Sequence, residues 1–300
     1  MTLARCGLAA VLLWGCAAEP AEVEPGTMFV VDRGGDAILR YDAVTGDFID
    51  VFAAGDDDLI DRPSSVRLGP DGHIYLAGFG RGNVVRYDAL STAMMGVFFW
   101  DTTELEEPVE LLFRGDQLAV LGNDTNNTVL LDRAGRVLSN FGAPDMRGAH
   151  DFAFGPDGYL YVGLPSNIVF GTAIQVWDVE SGRMLRHFGM LDTIACASGL
   201  AFASDGSLLV ADEELGRVVR FDRQTGEPIE VLIDHGLDRP VSLDIGPDGA
   251  LYVVDAKGVH RYAPYSGVFL STFVAVDGAT LVAPRSFTFV SDEAIAVARR

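Results

Sequence analysis

The chain has 300 residues and a formal net charge of −21 at pH 7, because 43 acidic residues stand against 22 basic ones. A surface this acidic repels phosphate backbones and anionic lipid headgroups, so we exclude nucleic-acid binding and electrostatic adsorption to a membrane. Three cysteines are too few for a disulfide framework. No linker or low-complexity tract divides the chain after residue 27, which favours a single domain over 28–300.

Residues 1–15 have the organisation of an export signal. One basic residue, Arg5, precedes an apolar segment that is too short to cross a bilayer. The segment ends in Leu-Trp-Gly-Cys at 13–16, which resembles the lipobox of bacterial lipoproteins. That resemblance implies acylation of Cys16, a tether over 16–27 and a location in the outer membrane or periplasm. Trp14 is bulkier than the residue usual there, so ordinary cleavage after Ala17 or Ala18 stays open.

The third cysteine, Cys196, stands far from the N-terminus. Removal of Cys6 with the signal and acylation of Cys16 would leave it without a disulfide partner. We therefore expect Cys196 to be a small buried side chain.

From residue 28 onward the chain consists of repeats. Residues 28–52 align without a gap on 208–232, and Gly-Pro-Asp-Gly occurs at 69–72, 155–158 and 246–249, each time between two apolar runs. Pro and Asp suit the second and third positions of a β-turn, so each phrase predicts a hairpin. The turn glycines fall at Gly72, Gly158, Gly206 and Gly249, with degenerate copies at Gln117 and Glu293. Their period of about 45 residues is typical of propeller blades.

The repeats divide into six four-stranded units, which predicts an all-β fold, a six-bladed β-propeller. Five units cover about 64–100, 107–142, 148–189, 198–233 and 239–274. The closing blade is shared by the chain ends, with 28–54 supplying outer strands and 284–298 an inner one, because a closed ring leaves no sheet edge exposed. Both pieces contain a candidate second strand, at 28–31 and at 295–298.

Three tracts, "AILRYD", "NVVRYD" and "RVVRFD", place an arginine between apolar residues: Arg40, Arg86 and Arg220. An aspartate follows each arginine two residues later. We expect cross-strand or same-face ion pairs at the blade surfaces rather than a basic binding stripe.

The unit "GLAFASDGSLLVADEELGRVVRFDRQTGE" at 199–227 resembles the NHL repeat, and the resemblance extends over about 28–298. It implies a propeller that offers a binding surface, although some members are enzymes, with functional residues where the innermost strands begin around the central channel. The inner-strand starts are Ser64 and Ser65, Val109 and Glu110, His150 and Asp151, Ser198 and Gly199, Val241 and Ser242, Arg285 and Ser286. The channel-binding candidates among them are Ser65, Glu110, His150, Asp151, Ser242 and Arg285.

Two enzymatic hypotheses for this ring have less support than a binding function. An NHL-type lyase that releases peptide amides holds zinc with histidines at such positions, but His150 is the only histidine in the ring. Calcium-dependent lactonases line the channel with carboxylates and asparagines, and here Glu110 and Asp151 stand without an asparagine. We therefore predict no catalytic residue, metal site or cofactor. The predicted function is a monomeric binding or scaffolding module for a protein or small-molecule ligand; the alternative is a calcium-dependent hydrolase or a lyase.

Overall fold

The computed structural model describes residues 26–55, 59–165 and 171–298. Over these residues the chain forms six four-stranded antiparallel sheets, each ordered from an inner to an outer strand, and one short helix. Each innermost strand contacts the innermost strands of its two neighbours, so the sheets close into a ring. The predicted six-bladed β-propeller is confirmed.

The first three blades contain the following strands. Blade 1 consists of β1 (Gly26–Asp32), β2 (Ala37–Asp42), β3 (Phe48–Ala54) and, as its innermost strand, β24 (Pro284–Ser291). Blade 2 consists of β4 (Pro63–Leu68), β5 (His73–Gly78), β6 (Asn83–Asp88) and β7 (Met94–Trp100). Blade 3 consists of β8 (Pro108–Arg114), β9 (Gln117–Gly122), β10 (Asn127–Leu131) and β11 (Val137–Phe141).

The other three blades complete the ring. Blade 4 consists of β12 (Asp151–Phe154), β13 (Leu160–Gly163), β14 (Thr172–Asp178) and β15 (Arg183–Met190). Blade 5 consists of β16 (Ala197–Phe202), β17 (Leu208–Asp212), β18 (Arg217–Phe221) and β19 (Pro228–Ile233). Blade 6 consists of β20 (Ser242–Ile245), β21 (Leu251–Asp255), β22 (Gly258–Tyr262) and β23 (Phe269–Ala275).

Blade 1 closes the ring as predicted, because the C-terminal strand β24 pairs antiparallel with β1. The predicted second strand at 295–298 is wrong, and so is the turn anchor at Glu293: both lie in helix α1 (Asp292–Ala298). β1 already occupies the edge of β24 that another strand would need. The Ser291 hydroxyl accepts a hydrogen bond from the Ala294 amide at 3.0 Å, which caps the helix N-terminus, and Asp292 and Glu293 add favourable charge to its first turn.

The repeated turn phrase depends on a glycine with positive φ and on a hydrogen bond to a tyrosine in the strand that follows. Gly158 has a φ of 83°, and Gly72, Gly206 and Gly249 have φ values of 74°, 81° and 76°. Residues other than glycine rarely adopt such positive φ values, because their Cβ atom clashes with the backbone. The turn aspartate accepts a hydrogen bond from a tyrosine four residues later: Tyr161 donates to Asp157 at 2.9 Å, and Tyr75 to Asp71 at 2.9 Å. The phrase therefore fixes both the turn and the position of a buried aromatic ring.

The core of the propeller is divided among the blade interfaces. The described residues form six hydrophobic clusters, one between each pair of neighbouring blades, including the pair that joins blade 6 to blade 1. Tyr161 and Tyr252 are among the largest fully buried side chains. Burial of such a side chain contributes about 1.5–3 kcal/mol, so the apolar faces of the strands, repeated around the ring, hold the blades together.

The arginines between apolar residues form ion pairs, as predicted, but with other partners than the aspartate two residues later. Arg40 pairs at 2.5 Å with Asp50, which lies opposite it on the next strand. Arg86 lies 3.5 Å from Asp71, and Arg220 pairs with Asp205 and with Glu230. The following aspartates, such as Asp42, accept backbone amides in the next turn instead.

The predicted export signal, the acylation site at Cys16 and most of the tether lie outside the described residues; the last two tether residues, Gly26 and Thr27, belong to β1. Within the described part of the chain, no helix has the length and apolarity that crossing a bilayer requires. Cys196 is buried, as expected.

Candidate ligand-binding channel

The six innermost strands surround a central channel, and side chains along each strand alternate between the channel and the blade interfaces. The second residue of each predicted pair lies on the channel side for β4, β8, β12 and β20, as the contacts below show. We call the residues that precede the inner strands, together with the turns between second and third strands, the rim. In antiparallel blades both segments reach the same end of the channel.

Four first residues of the pairs, together with Gly199, hold neighbouring blades together. The Ser64 hydroxyl donates to the Pro108 carbonyl at 2.5 Å, and the Ser198 hydroxyl donates to the Pro240 carbonyl at 2.6 Å, so each links its inner strand to the next one. Val109 packs in the cluster between blades 3 and 4, and Val241 packs in the cluster between blades 6 and 1. A side chain at Gly199 would meet the Ser242 backbone at 2.9 Å. These residues serve the ring rather than a ligand.

One side of the channel carries a complete ion pair. Arg67 on β4 lies 2.8 Å from Glu110 on β8, and the Ser65 hydroxyl donates to the same carboxylate at 2.6 Å. Arg67 also donates to the Phe287 carbonyl on β24 at 3.0 Å. The Glu110 side chain is only 6% exposed, so the pair is largely removed from water. We call Ser65, Arg67 and Glu110 the paired side.

The opposite side carries two aspartates, and we call Asp151 and Asp244 the open side. Asp151 is buried, and it accepts the Phe152 amide at 2.8 Å and the Leu200 amide at 2.7 Å. Asp244 is exposed in the channel cavity although protein surrounds it, and it accepts the Ile245 amide at 2.8 Å. Among the residues that the structure describes, neither aspartate forms an ion pair.

The environment of Asp151 and Asp244 favours the protonated, neutral form of both carboxyl groups. Burial, followed by the charge of Glu110, holds the pKa of Asp151 well above its ordinary range. Burial also raises the pKa of Asp244. In both cases the bonded amides and the charge of Arg67 act in the opposite direction. A cation brought into the channel would favour ionisation of both groups.

The two sides face one cavity of about 310 Å³, which Arg67, Asp151, Ser242 and Asp244 line together with apolar inner-strand residues. A larger cavity, about 690 Å³, lies against the outer strands of blades 5 and 6. There the buried side chains of His260 and Asp255 already form a hydrogen bond to each other at 2.9 Å. The channel cavity is the better candidate because polar groups from several blades converge on it.

The rim places His150 beside residues of the next blade. Its Nδ1 lies 3.6 Å from the Cys196 thiol and 3.7 Å from the Glu213 carboxylate. Burial, together with the charge of Arg285, lowers the pKa of His150 to about 4, so the imidazole is neutral at pH 7. Burial, with the charges of nearby carboxylates, raises the pKa of Cys196 to about 12.

The six predicted candidates thus divide between two places. Ser65, Glu110, Asp151 and Ser242 line the channel, whereas His150 lies at the rim and Arg285, on β24, lies close enough for its charge to act on His150. Sequence reasoning missed Arg67 and Asp244, although each stands two residues after a candidate on the same strand, so period-two alternation could have found them. It also missed Glu213, which lies in a turn of the neighbouring blade and carries no sequence signal that links it to His150.

Comparison with known proteins supplies relatives and similar folds. No protein-family model matches the chain. The human protein NHL-repeat-containing protein 4 is 37% identical over 105 residues, covering 34% of this chain and 79% of that protein. Its mouse counterpart is 32% identical over 108 residues, covering 34% of this chain and 78% of that protein.

Solved structures share the architecture at low identity. A chain of the nidogen/laminin complex superposes with a TM-score of 0.69 at 14% identity, covering 88% of this chain and 98% of that chain. Virginiamycin B lyase from Staphylococcus aureus superposes with a TM-score of 0.56 at 16% identity, covering 69% of this chain and 68% of that chain. At these identities the similarity shows the propeller fold alone.

Proposed function

Because the chain belongs to the NHL-repeat-containing proteins, we propose that its propeller is a binding or scaffolding module whose ligand places a cationic group in the channel. The observation that carries this proposal is the open side: Asp151 and Asp244 share a cavity with Arg67, and Arg67 is engaged by Glu110. An amine or guanidinium would supply the charge that the two aspartates lack. The ligand is a protein segment or a small molecule that carries such a group.

The test is a thermal-shift and calorimetric screen of the full chain against matched sets of small amines, guanidines and carboxylic acids. We expect stabilisation by the cationic sets and a loss of at least about tenfold in affinity for Asp151→Asn combined with Asp244→Asn, since charge-assisted hydrogen bonds contribute about 1.5–3 kcal/mol each. Affinity should rise with pH, because both carboxyls must lose a proton whose pKa is raised.

The matched control is Asp277→Asn, which removes the same charge from an exposed turn. Binding that survives the double channel variant, or that Asp277→Asn weakens equally, would contradict the proposal. Preferential binding of the carboxylic acids to Arg67 would contradict it as well.

A calcium-dependent hydrolase remains the second candidate, because Glu110, Asp151 and Asp244 place three carboxylates in one channel. Ca²⁺ takes six to eight oxygen ligands, and a guanidinium bound to Glu110 opposes such a site. Titration of the full chain with CaCl₂ separates the candidates: a calcium affinity that is lost in Glu110→Gln would favour the hydrolase over the amine-binding module.

We further propose that the module is exported and anchored to a membrane by acylation of Cys16. Support comes from the sequence of residues 1–16 alone, and both relatives are mammalian, so they add nothing for a bacterial source. Two acyl chains would give stable anchoring, since a single chain is only marginal. Cys16→Ser should move the protein from the membrane fraction to the soluble fraction, whereas wild-type protein that is soluble with its N-terminus at Ala18 or Glu19 would refute the anchor.

A further inference from the structure

The rim brings three different metal-ligand types together. His150 precedes the first strand of blade 4, Cys196 precedes the first strand of blade 5, and Glu213 lies in the turn between β17 and β18. One donor atom from each residue lies within 4.8 Å of the other two. We call these three residues the rim cluster.

The two donor separations that involve His150 are close to those of tetrahedral coordination. At metal–ligand distances of about 2.0–2.3 Å and tetrahedral angles, the donor atoms of a zinc site lie about 3.4–3.6 Å apart. His150 Nδ1 lies 3.6 Å from Cys196 Sγ and 3.7 Å from Glu213 Oε2. The third separation, between the donors of Cys196 and Glu213, is within 4.8 Å, so coordination of one ion by all three requires side-chain rotation about χ angles of Cys196 and Glu213.

The backbone holds the three donors in position. Glu213 donates its amide to the Cys196 carbonyl at 3.1 Å, so these two residues are tied directly. The fully buried Asp212 carboxylate accepts the Cys196 amide at 3.2 Å, and His150 donates its amide to the Gly163 carbonyl at 2.9 Å. These contacts reduce the conformational freedom that metal binding would otherwise have to remove.

We propose that the rim cluster binds Zn²⁺ through His150 Nδ1, Cys196 Sγ and the Glu213 carboxylate. Imidazole, thiolate and carboxylate together suit zinc, whereas the hard cations Ca²⁺ and Mg²⁺ prefer oxygen alone. The thiol proton leaves to solvent as the sulfur–zinc bond forms. The His150 and Glu213 side chains are 26% and 28% exposed, so a fourth coordination position would be accessible to water or to a ligand of the propeller.

The charges around the cluster favour a cation. Arg285 opposes it, but the carboxylates of Asp212, Glu213 and Glu214 lie on the same side of the rim and outnumber it. Asp212 is partly engaged by Arg217, at 3.6 Å, which leaves Glu213 and Glu214 as the free negative charges. This site differs from a ring of inner-strand histidines, since two of its three ligands come from the neighbouring blade.

The test uses untagged full-length protein in which serine replaces Cys6 and Cys16, so that Cys196 is the single thiol. Chelator-buffered titration with Zn²⁺ should show one tight ion per chain, and Co²⁺ should produce a sulfur-to-cobalt charge-transfer band in the near ultraviolet. Loss of outer-shell partners costs about 10–100-fold in metal affinity, so we expect Cys196→Ser and Glu213→Gln each to cost at least about 100-fold. The charge-transfer band should disappear in Cys196→Ser and persist in the control.

Glu214→Gln is the matched control, because it removes the neighbouring charge without touching a proposed ligand. It should leave zinc affinity within about threefold, a change that electrostatics near the surface can produce. The inference fails if Co²⁺ binds without the sulfur-to-cobalt band, or if Glu214→Gln and Glu213→Gln weaken Zn²⁺ binding equally, since both results indicate adventitious binding by surface acids. Glu213 is half-buried, so Glu213→Gln keeps the test valid if Cys196→Ser does not fold.

Discussion

The two sides of the channel differ in whether their charges are complete. On the paired side Arg67, Glu110 and Ser65 satisfy one another across two blades, and Arg67 also donates to the Phe287 carbonyl on β24, in a third blade. On the open side, within the part of the chain that the structure describes, Asp151 and Asp244 accept hydrogen bonds from backbone amides alone. The difference indicates separate roles: a buried, complete ion pair holds inner strands together, whereas channel acids without a cation are available to a ligand.

The largest expected effect comes from breaking the paired side. Arg67→Met leaves Glu110 buried without its cation, and removal of one partner of a buried pair typically costs about 3–5 kcal/mol. Because the Arg67 side chain is 20% exposed, we expect a value at the lower end of this range: a loss of about 3 kcal/mol in the free energy of unfolding, measured by urea denaturation. The double variant Arg67→Met with Glu110→Leu should recover most of that loss. A single variant within about 1 kcal/mol of wild type would contradict a structural role.

A smaller effect, visible through pH, should come from neutralising the open side. Because the folded pKa of Asp244 is raised, its stabilising contribution is complete below the unfolded value of 3.8 and is lost as pH rises through the folded pKa. Asp244→Asn should therefore gain unfolding free energy relative to wild type as pH rises from about 4 to 7. Channel water screens the charge, so we expect a gain below about 1 kcal/mol.

Asp277 provides a control of opposite sign. Three backbone amides lower its pKa to about 2, so its contribution is present above the unfolded value and is lost as pH falls towards 2. Asp277→Asn should be less stable than wild type at neutral pH and equal to it at low pH. If both variants shift in the same direction with pH, the distinction between a buried acid and a turn acid is wrong.

The smallest effect should come from an ion pair at the blade surface. Asp50 is 44% exposed and pairs with Arg40 across two outer strands. Exposed pairs contribute about 0.2–1 kcal/mol, so Asp50→Asn should cost about 0.5 kcal/mol in urea denaturation, and salt near 1 M should remove most of that cost. A loss that matches Arg67→Met would mean that burial does not separate the two pairs.

Sequence patterns predicted the blades and part of the channel, for reasons that particular residues make clear. The turn phrase ending at Gly158 acts locally, through its positive φ and the Asp157–Tyr161 hydrogen bond, so four or five residues suffice to recognise it. The inner-strand starts of the repeats placed Glu110 and Asp151 at the channel. The prediction failed at 295–298, because whether that segment pairs as a strand depends on a sheet edge that β1 already occupies.

The sequence by itself determined the number of blades, the closure of the ring by both chain ends and the strand starts that meet at the channel, because turns and strand alternation depend on neighbours in the chain. Only the tertiary structure decided which charges are paired. Arg67 meets Glu110 across two blades, and His150 meets Cys196 and Glu213 across two others. These distances depend on how each blade packs against the next, and that packing arises from apolar clusters spread over the whole chain.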